Sequence, residues 1–181
     1  CIPAEQAVHV YDRVVEAGKS LGLRHAGLRA LGSLRMEKAY RDYGHDIDNT
    51  DDAYETGLGM FVNLDKPDFL GKAYCVEKKA QGPAYNRRLV QVLVKDPDPL
   101  LYHAEVIHRN GRAVGYVRAA SYGFTLGGAV GLAMIEADEP VTKAYLEEGE
   151  WEIDIAGQRY PLEVSLASRA MYDPKKERVR A

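Results

Sequence analysis

Apolar side chains recur at helical spacing near the start of the chain and again before its midpoint. Behind Pro3, residues 10–17 place Val, Tyr and Ala side chains on one face. A proline suits the first helical turn because the N–H that it lacks has no intrahelical partner there. Residues 68–80 repeat the pattern. A helix is therefore predicted in each stretch, with a shorter one over residues 25–31.

Two stretches between these helices show the period of a strand. From Leu34 to Arg41, apolar residues alternate with charged ones, which predicts a strand with one apolar face. Residues 57–64, GLGMFVNL, are predicted to form a second strand. The first part of the chain is thus expected to be mixed α/β.

The second part of the chain has the character of an antiparallel β-structure. Short β-rich runs at residues 88–94 and 129–137 are accompanied by two predicted hairpins. Their turns are placed at Asn110-Gly111 and Ala156-Gly157, residue pairs that include a glycine for the positive φ that a tight turn needs. Several short strands separated by turn residues indicate a small barrel or a sandwich.

Gly82 and Pro83 interrupt both patterns and mark the predicted boundary between the two parts. The sequence therefore predicts an α+β fold with a first domain at residues 1–82 and a second at residues 83–181. The chain begins with Cys1, and we expect it to be part of a longer polypeptide.

Composition narrows the classes of function. The 181 residues carry a formal net charge of −3, so no basic face for nucleic acid is expected. No apolar run approaches the roughly 18 residues of a membrane span. The two cysteines do not form a disulfide framework and favour a reducing compartment, either the bacterial cytoplasm or the mitochondrial matrix.

An aspartate cluster at Asp46, Asp48, Asp51 and Asp52 suggests a calcium loop at first sight. An EF-hand loop needs glycine at its sixth position and glutamate at its twelfth, and this cluster has Asp51 and Gly57 there. For Asp48 to Asp52 we therefore expect a turn in which Asp and Asn side chains accept hydrogen bonds from nearby backbone N–H groups. The histidines show no metal-ligand spacing either, so no metal site is predicted.

Arg35, Glu37 and Tyr43 have the same parity on the strand predicted from Leu34. A guanidinium, a carboxylate and a phenol on one surface could bind a flat heteroaromatic ligand through directional hydrogen bonds and stacking. The alternative is an ion pair on a sheet face. Spacing alone leaves both readings open.

These residues also lie in a segment that resembles a known family. The segment GLRHAGLRALGSLRMEKAYRDYGHDID, the later LDKPDFLGKAY, the run NGRAVGYVRAASYGFTLGGAVGLAMIE and the closing MYDP are similar, in this order, to motifs of the glycine-cleavage T-protein (aminomethyltransferase) family. The wording is closest to the C-terminal folate-binding domain of FAD-dependent sarcosine and dimethylglycine dehydrogenases. Lys38 stands where plain T-proteins usually have alanine.

The resemblance implies a T-protein-like folate-binding fragment that ends in a small antiparallel β-barrel. It implies tetrahydrofolate as a ligand that accepts a one-carbon unit to give 5,10-methylenetetrahydrofolate, and FAD in an N-terminal flavin domain that partners this chain. It carries Arg35 and Tyr43 over as folate-pocket positions and matches Glu37 to a family position.

The resemblance places the general acid/base aspartate and a pterin-binding carboxylate upstream of these residues. No catalytic residue is therefore predicted in this chain, and the chain alone is expected to be inactive. Two alternatives remain: an aminomethyltransferase of the glycine cleavage system, with a lipoyl carrier protein as donor, or a non-catalytic regulatory relative.

Overall fold

The computed structural model describes residues 1–180, which form two compact units. The first unit, Cys1–Leu31, is helical. A 3-10 turn at Ala4–Gln6 leads into α1 at Ala7–Gly18, and a second 3-10 turn follows at Lys19–Leu21. The helix predicted behind Pro3 is therefore confirmed.

The second unit begins at Gly32, within α2 (Leu28–Glu37). The strand predicted from Leu34 is wrong, because the segment is the end of this helix. Ser33, Met36 and Glu37 are buried, while Leu34 is 58 % exposed, and buried positions spaced by three and four residues follow the helical period. The short alternation of apolar and charged residues is compatible with the period of a strand and with that of a helix. Packing of Met36 against the barrel favours the helix.

The strand predicted at residues 57–64 is also wrong, because this segment contains a 3-10 turn at Gly59–Phe61 between irregular stretches. The helix predicted at residues 68–80 is present as α3, at Lys72–Ala80. Before residue 87, the part of the chain that the structure describes has a single β-bridge, between Tyr43 and Ile47.

The second unit contains six strands: β1 Arg87–Val94, β2 Val106–Arg109, β3 Arg112–Gly123, β4 Gly128–Glu136, β5 Trp151–Ile155 and β6 Gln158–Leu166. They pair antiparallel and close into a barrel with the spatial order β1-β4-β3-β2-β5-β6. The short helix α4 (Lys143–Glu147) lies between β4 and β5 in the chain, and α5 (Glu177–Arg180) follows β6. Closure of the sheet resolves the choice between barrel and sandwich and confirms the α+β fold class.

Both predicted hairpin turns are confirmed. Asn110 and Gly111 join β2 to β3 with φ of 51° and 78°, and Ala156 and Gly157 join β5 to β6 with φ of 53° and 81°. Positive φ at both central residues matches the right-handed twist of the paired strands.

β1 is buried on both faces because it separates two apolar clusters. Val90, Val92 and Val94 belong to the cluster that fills the barrel, whereas Leu89 belongs to a second cluster with Met36 of α2. Adjacent side chains of a strand point to opposite faces. The second cluster therefore places the end of α2 against the outer face of the barrel.

Among the residues that the structure describes, no helix is long and apolar enough to cross a membrane.

Candidate functional site

A cavity of about 570 Å³ opens beside the residues that follow α2. Three stretches of the second unit form its walls: residues 38–47, residues 57–61 and residues 167–180. Its lining combines basic and aromatic side chains with a few small residues. The lining residues are Lys38, Tyr40, Arg41, Tyr43, Ile47, Gly57, Leu58, Met60, Phe61, Ala167, Ser168, Ala170, Asp173, Pro174, Lys175, Lys176 and Arg180.

Arg41 is held in this cavity by backbone carbonyl groups. Its Nε and Nη2 atoms donate to the carbonyl oxygen of Thr56 at 3.0 and 2.8 Å, and its Nη1 atom donates to that of Ala39 at 3.0 Å. Burial lowers the pKa of the guanidinium, while the nearby Asp46 carboxylate opposes that shift. Within residues 1–180, Arg41 bonds no carboxylate directly, and two of its five N–H donors have no partner.

Gly57 allows this close approach of Arg41. It adopts a left-handed φ of 73°, and an added Cβ atom would lie 2.7 Å from the Nη2 atom of Arg41 and 3.1 Å from the Cβ atom of Ser168. A side chain here would meet both backbone strain and a steric clash. The position therefore needs glycine for two independent reasons.

Large apolar and aromatic side chains surround the cavity and remain open to solvent. Tyr40 is 47 % exposed, Tyr43 70 %, Met60 73 % and Phe61 75 %. Aromatic rings that are free on one face can stack on a flat ligand. These four residues therefore give the cavity an apolar rim.

The charges of the lining are mostly positive. Lys38 is paired with Asp173 at 3.2 Å, and both side chains are nearly buried. Lys175, Lys176 and Arg180 add further cations at the edge formed by the C-terminal segment. Because the one lining carboxylate already has a partner, the cavity favours a ligand that carries negative charge.

The structure gives Arg35 a specific partner. Its Nη1 atom lies 2.8 Å from the Oδ2 atom of Asp46, its Nη2 atom lies 3.0 Å from the Oδ1 atom, and Nη1 also donates to the carbonyl of Tyr40. Asp46 is fully buried and accepts the backbone N–H of Asp42 as well. Arg35 therefore braces the loop that carries Tyr43, and it does not line the cavity.

Glu37 lies against the turn between β3 and β4. It is only 2 % exposed, and its Oε1 atom accepts the backbone N–H groups of Thr125 and Leu126 at 2.6 and 3.0 Å. Among the residues that the structure describes, no hydrogen bond reaches its other oxygen. Glu37 is not part of the cavity lining.

Of the three residues predicted from the sequence, only Tyr43 lines the cavity. The common strand face that motivated the grouping does not exist, because Arg35 and Glu37 belong to a helix and side chains two residues apart on a helix diverge. Assignment of the three residues to a folate pocket stays a prediction. Sequence reasoning missed Arg41 and Tyr40, although both lie in the same charged and aromatic stretch.

The aspartate cluster is a turn, as expected. Asp48 accepts the backbone N–H of Thr50, and Asp52 accepts those of Tyr54 and Glu55. Asp51 accepts the backbone N–H of Asp48 and is also paired with Arg87 of β1 and Arg118 of β3. No group of three potential metal ligands occurs in the described part of the chain.

The fold defines a class of protein in which the end of α2 and the loop after it pack on the outside of a closed six-stranded barrel. Comparison with known families agrees with this architecture. The profile of the GCVT N-terminal domain matches residues 1–66, and that of the glycine cleavage T-protein C-terminal barrel domain matches residues 87–173. The chain belongs to the glycine cleavage T-protein family. The boundary at residue 82 stays a prediction.

Several curated relatives align over nearly the whole chain. A 4-methylaminobutanoate oxidase (formaldehyde-forming) from Paenarthrobacter nicotinovorans is 44 % identical over 98 % of this chain. The mitochondrial pyruvate dehydrogenase phosphatase regulatory subunit of Mus musculus is 34 % identical over 91 %, and the mitochondrial sarcosine dehydrogenase of Homo sapiens is 34 % identical over 99 %. The chain spans about a fifth of the length of these relatives: 20 %, 20 % and 19 %, respectively.

A solved structure supports the fold. The crystal structure of glycine cleavage system aminomethyltransferase T from Bartonella henselae superposes with a TM-score of 0.72 over 90 % of this chain and 43 % of that one. The sequence identity is 21 %, so this likeness concerns the fold alone.

Proposed function

We propose that this chain is the tetrahydrofolate-binding part of an FAD-dependent dehydrogenase of N-methylated amino acids, such as sarcosine or dimethylglycine. In this proposal the flavin domain belongs to the same polypeptide as this chain. Two relatives, a 4-methylaminobutanoate oxidase and a sarcosine dehydrogenase, are each named for an N-methyl amine substrate. The bacterial cytoplasm or the mitochondrial matrix stays the predicted compartment.

The observation that carries the proposal is Arg41 in its aromatic cavity. A partly buried guanidinium with free N–H donors and no directly bonded carboxylate suits a carboxylate of the ligand. Tyr40, Tyr43 and Phe61 suit a flat ring system. Tetrahydrofolate combines a pterin ring with a glutamate, and the cavity volume lies within the usual range of small-molecule sites.

Bound tetrahydrofolate would supply N5 and N10, which together take the methylene carbon of the iminium ion formed from the N-methyl amine, while the amine leaves with one N–H proton and the other is released. The residues of this chain position the folate. Arg41 would hold the carboxylate, and the aromatic rim would exclude water from the rings. Water exclusion matters because water converts the same iminium carbon to formaldehyde.

A second candidate function has its own observation. The 34 % identical relative from Mus musculus is a regulatory subunit, so a non-catalytic role as a docking or regulatory part is the alternative. Turnover separates the two. The full polypeptide should oxidise sarcosine, dimethylglycine or 4-methylaminobutanoate, and added tetrahydrofolate should replace formaldehyde by 5,10-methylenetetrahydrofolate as product. No oxidation of any of the three amines would favour the regulatory role.

The folate site is tested by calorimetric titration of the full polypeptide with tetrahydrofolate. Arg41→Gln should weaken binding by about 10- to 100-fold, the scale of one hydrogen bond to a charged group. It should leave the affinity for a pterin without the glutamate unchanged, because the proposed contact is to the carboxylate.

Arg112→Gln is the matched control. Arg112 is an exposed arginine on β3 that pairs with Asp138 and lines a different cavity. Equal losses in both variants would indicate a general effect of charge, and an unchanged affinity in Arg41→Gln would refute the site.

A further inference from the structure

Gln91 is a buried amide that joins three separate parts of the second unit. It lies in β1 between Val90 and Val92, whose side chains fill the barrel. Its own side chain points to the outer face and is fully buried. A polar group in this position must find hydrogen-bond partners within the protein.

The amide nitrogen of Gln91 bonds the end of α2. It donates to the carbonyl oxygen of Met36 at 2.7 Å and to that of Glu37 at 3.1 Å. The last carbonyl groups of a helix have no intrahelical partner. Gln91 therefore ends α2 at a fixed place on the barrel.

The amide oxygen of Gln91 bonds the C-terminal segment. It accepts the backbone N–H of Met171 at 2.7 Å. Lys38 directly follows α2 and Asp173 follows Met171, and both line the cavity. One side chain thus fastens two of the three cavity walls to the same strand: residues 38–47 at their start and residues 167–180 at Met171. The Lys38–Asp173 ion pair connects the same two walls.

We infer that Gln91 is a positioning residue for the cavity, which sets the separation of the walls formed by residues 38–47 and 167–180 without touching the ligand. The inference rests on the proposed folate site for its binding readout, and on the hydrogen bonds of Gln91 for its structural readout. An apolar side chain of similar size would leave the carbonyl oxygen of Glu37 and the N–H group of Met171 without a partner, and would leave the carbonyl oxygen of Met36 with only the N–H group of Ala39. The walls would then be released even though the barrel interior stays filled.

The test uses Gln91→Met and Gln91→Glu in the full polypeptide, with two measurements. Hydrogen exchange followed by mass spectrometry reports residues 38–43 and 171–176, and titration reports the affinity for tetrahydrofolate. Gln91→Met should increase exchange in both segments and weaken binding by roughly 10-fold or more. Exchange in the barrel strands should change little.

Gln91→Glu separates the two contacts. The new carboxylate can still accept the N–H of Met171, but it cannot donate to the α2 carbonyls. Burial and the neighbouring carbonyl oxygens should raise the pKa of the introduced carboxyl group, and protonation restores one donor. Exchange at 38–43 should therefore be faster than in the wild type at pH 8 and should approach the wild-type value at pH 5.5, a dependence that simple destabilisation would not produce.

Val117→Ala is the control, because it shortens a buried side chain inside the barrel and leaves the hydrogen bonds of Gln91 in place. It should lower stability while leaving exchange in the two wall segments and folate affinity near the wild-type values. If residues 38–43 and 171–176 of Gln91→Met exchange as slowly as in the wild type, the inference is refuted. If the wild type does not bind tetrahydrofolate but Gln91→Met still releases both walls, the proposed function fails and the positioning role stands.

Discussion

The pair formed by Arg35 and Asp46 gives a sharp test of whether Arg35 braces the site or binds the ligand. The two side chains share a bidentate contact with N–O distances of 2.8 and 3.0 Å. Asp46 has no exposed side-chain surface, and that of Arg35 is 19 % exposed. Asp46 also bonds the N–H of Asp42 at 2.7 Å. The pair therefore fixes the loop between α2 and the aspartate turn.

The size of the effect follows from burial. Arg35→Ala leaves the carboxylate of Asp46 buried without its counter-ion, which costs about 3–5 kcal/mol. Asp46→Ala leaves Arg35, which regains some hydration through its exposed part, so we expect the lower end of that range. The double variant removes both charges, and the coupling between the two changes should be about 2–3 kcal/mol.

Urea unfolding of the 181-residue chain measures this coupling. Trp151 is its one tryptophan and is 6 % exposed, so its fluorescence reports unfolding of the barrel. The wild type, both single variants and the double variant complete the cycle, provided that the denaturant dependence stays the same. Lys143 and Glu147, an exposed pair on α4 at 3.1 Å, form the control cycle, which should give less than about 0.5 kcal/mol.

A coupling below about 1 kcal/mol would refute the bracing role, because such a value is typical of exposed pairs. Ligand affinity completes the test in the full polypeptide. If Arg35 contacts folate directly, Arg35→Ala should weaken binding by about 1–3 kcal/mol and Asp46→Ala should weaken it less. If Arg35 acts only through the loop, both variants should weaken binding equally.

Two further predictions concern acidification and the chain alone. Burial alone would raise the pKa of Asp173, but the N–H of Glu177 and the Lys38 ammonium outweigh this effect and hold the pKa below its ordinary value. Because the pKa is depressed in the folded state, the charged Asp173 stabilises the fold above about pH 4, and this stabilisation is lost as the pH falls through the folded pKa. Asp173→Asn should therefore flatten the pH dependence of thermal unfolding below about pH 4, and parallel curves would contradict this. The isolated chain should bind tetrahydrofolate with a dissociation constant at best around the millimolar range, roughly −4 kcal/mol, because the resemblance assigns further pocket residues to positions upstream. Micromolar binding in a calorimetric titration would show a complete pocket within these residues.

The barrel was predictable from the sequence because its signals are local. Asn110-Gly111 and Ala156-Gly157 each define a hairpin through the φ values that their turns require. Register then follows from the turn and from the alternation of buried residues. Local signals do not determine closure of the sheet, because pairing of β1 with both β4 and β6 depends on contacts between residues far apart in the chain.

The region around α2 was predicted poorly because its signals are not local. The alternation from Leu34 to Arg41 fits a short strand as well as the end of a helix, and the choice is made by burial of Met36 against Leu89 on the barrel. The walls of the cavity likewise come from three distant stretches of sequence. No spacing within one stretch could show that Arg41 lies beside Gly57, or that Tyr43 and Asp173 line the same space.

The helix also changes how the three predicted residues work together. On a strand, Arg35 and Glu37 would have shared a face and a ligand. On α2 they project in different directions, Arg35 toward Asp46 and Glu37 toward the β3–β4 turn, and each fastens a different part of the surroundings. Gln91 adds a third attachment at the end of the same helix. Three polar contacts thus fix the end of α2, from which Tyr40 and Arg41 extend into the cavity. Substitutions of Arg35, Glu37 or Gln91 should therefore change the ligand affinity of the cavity, although all three residues lie outside it.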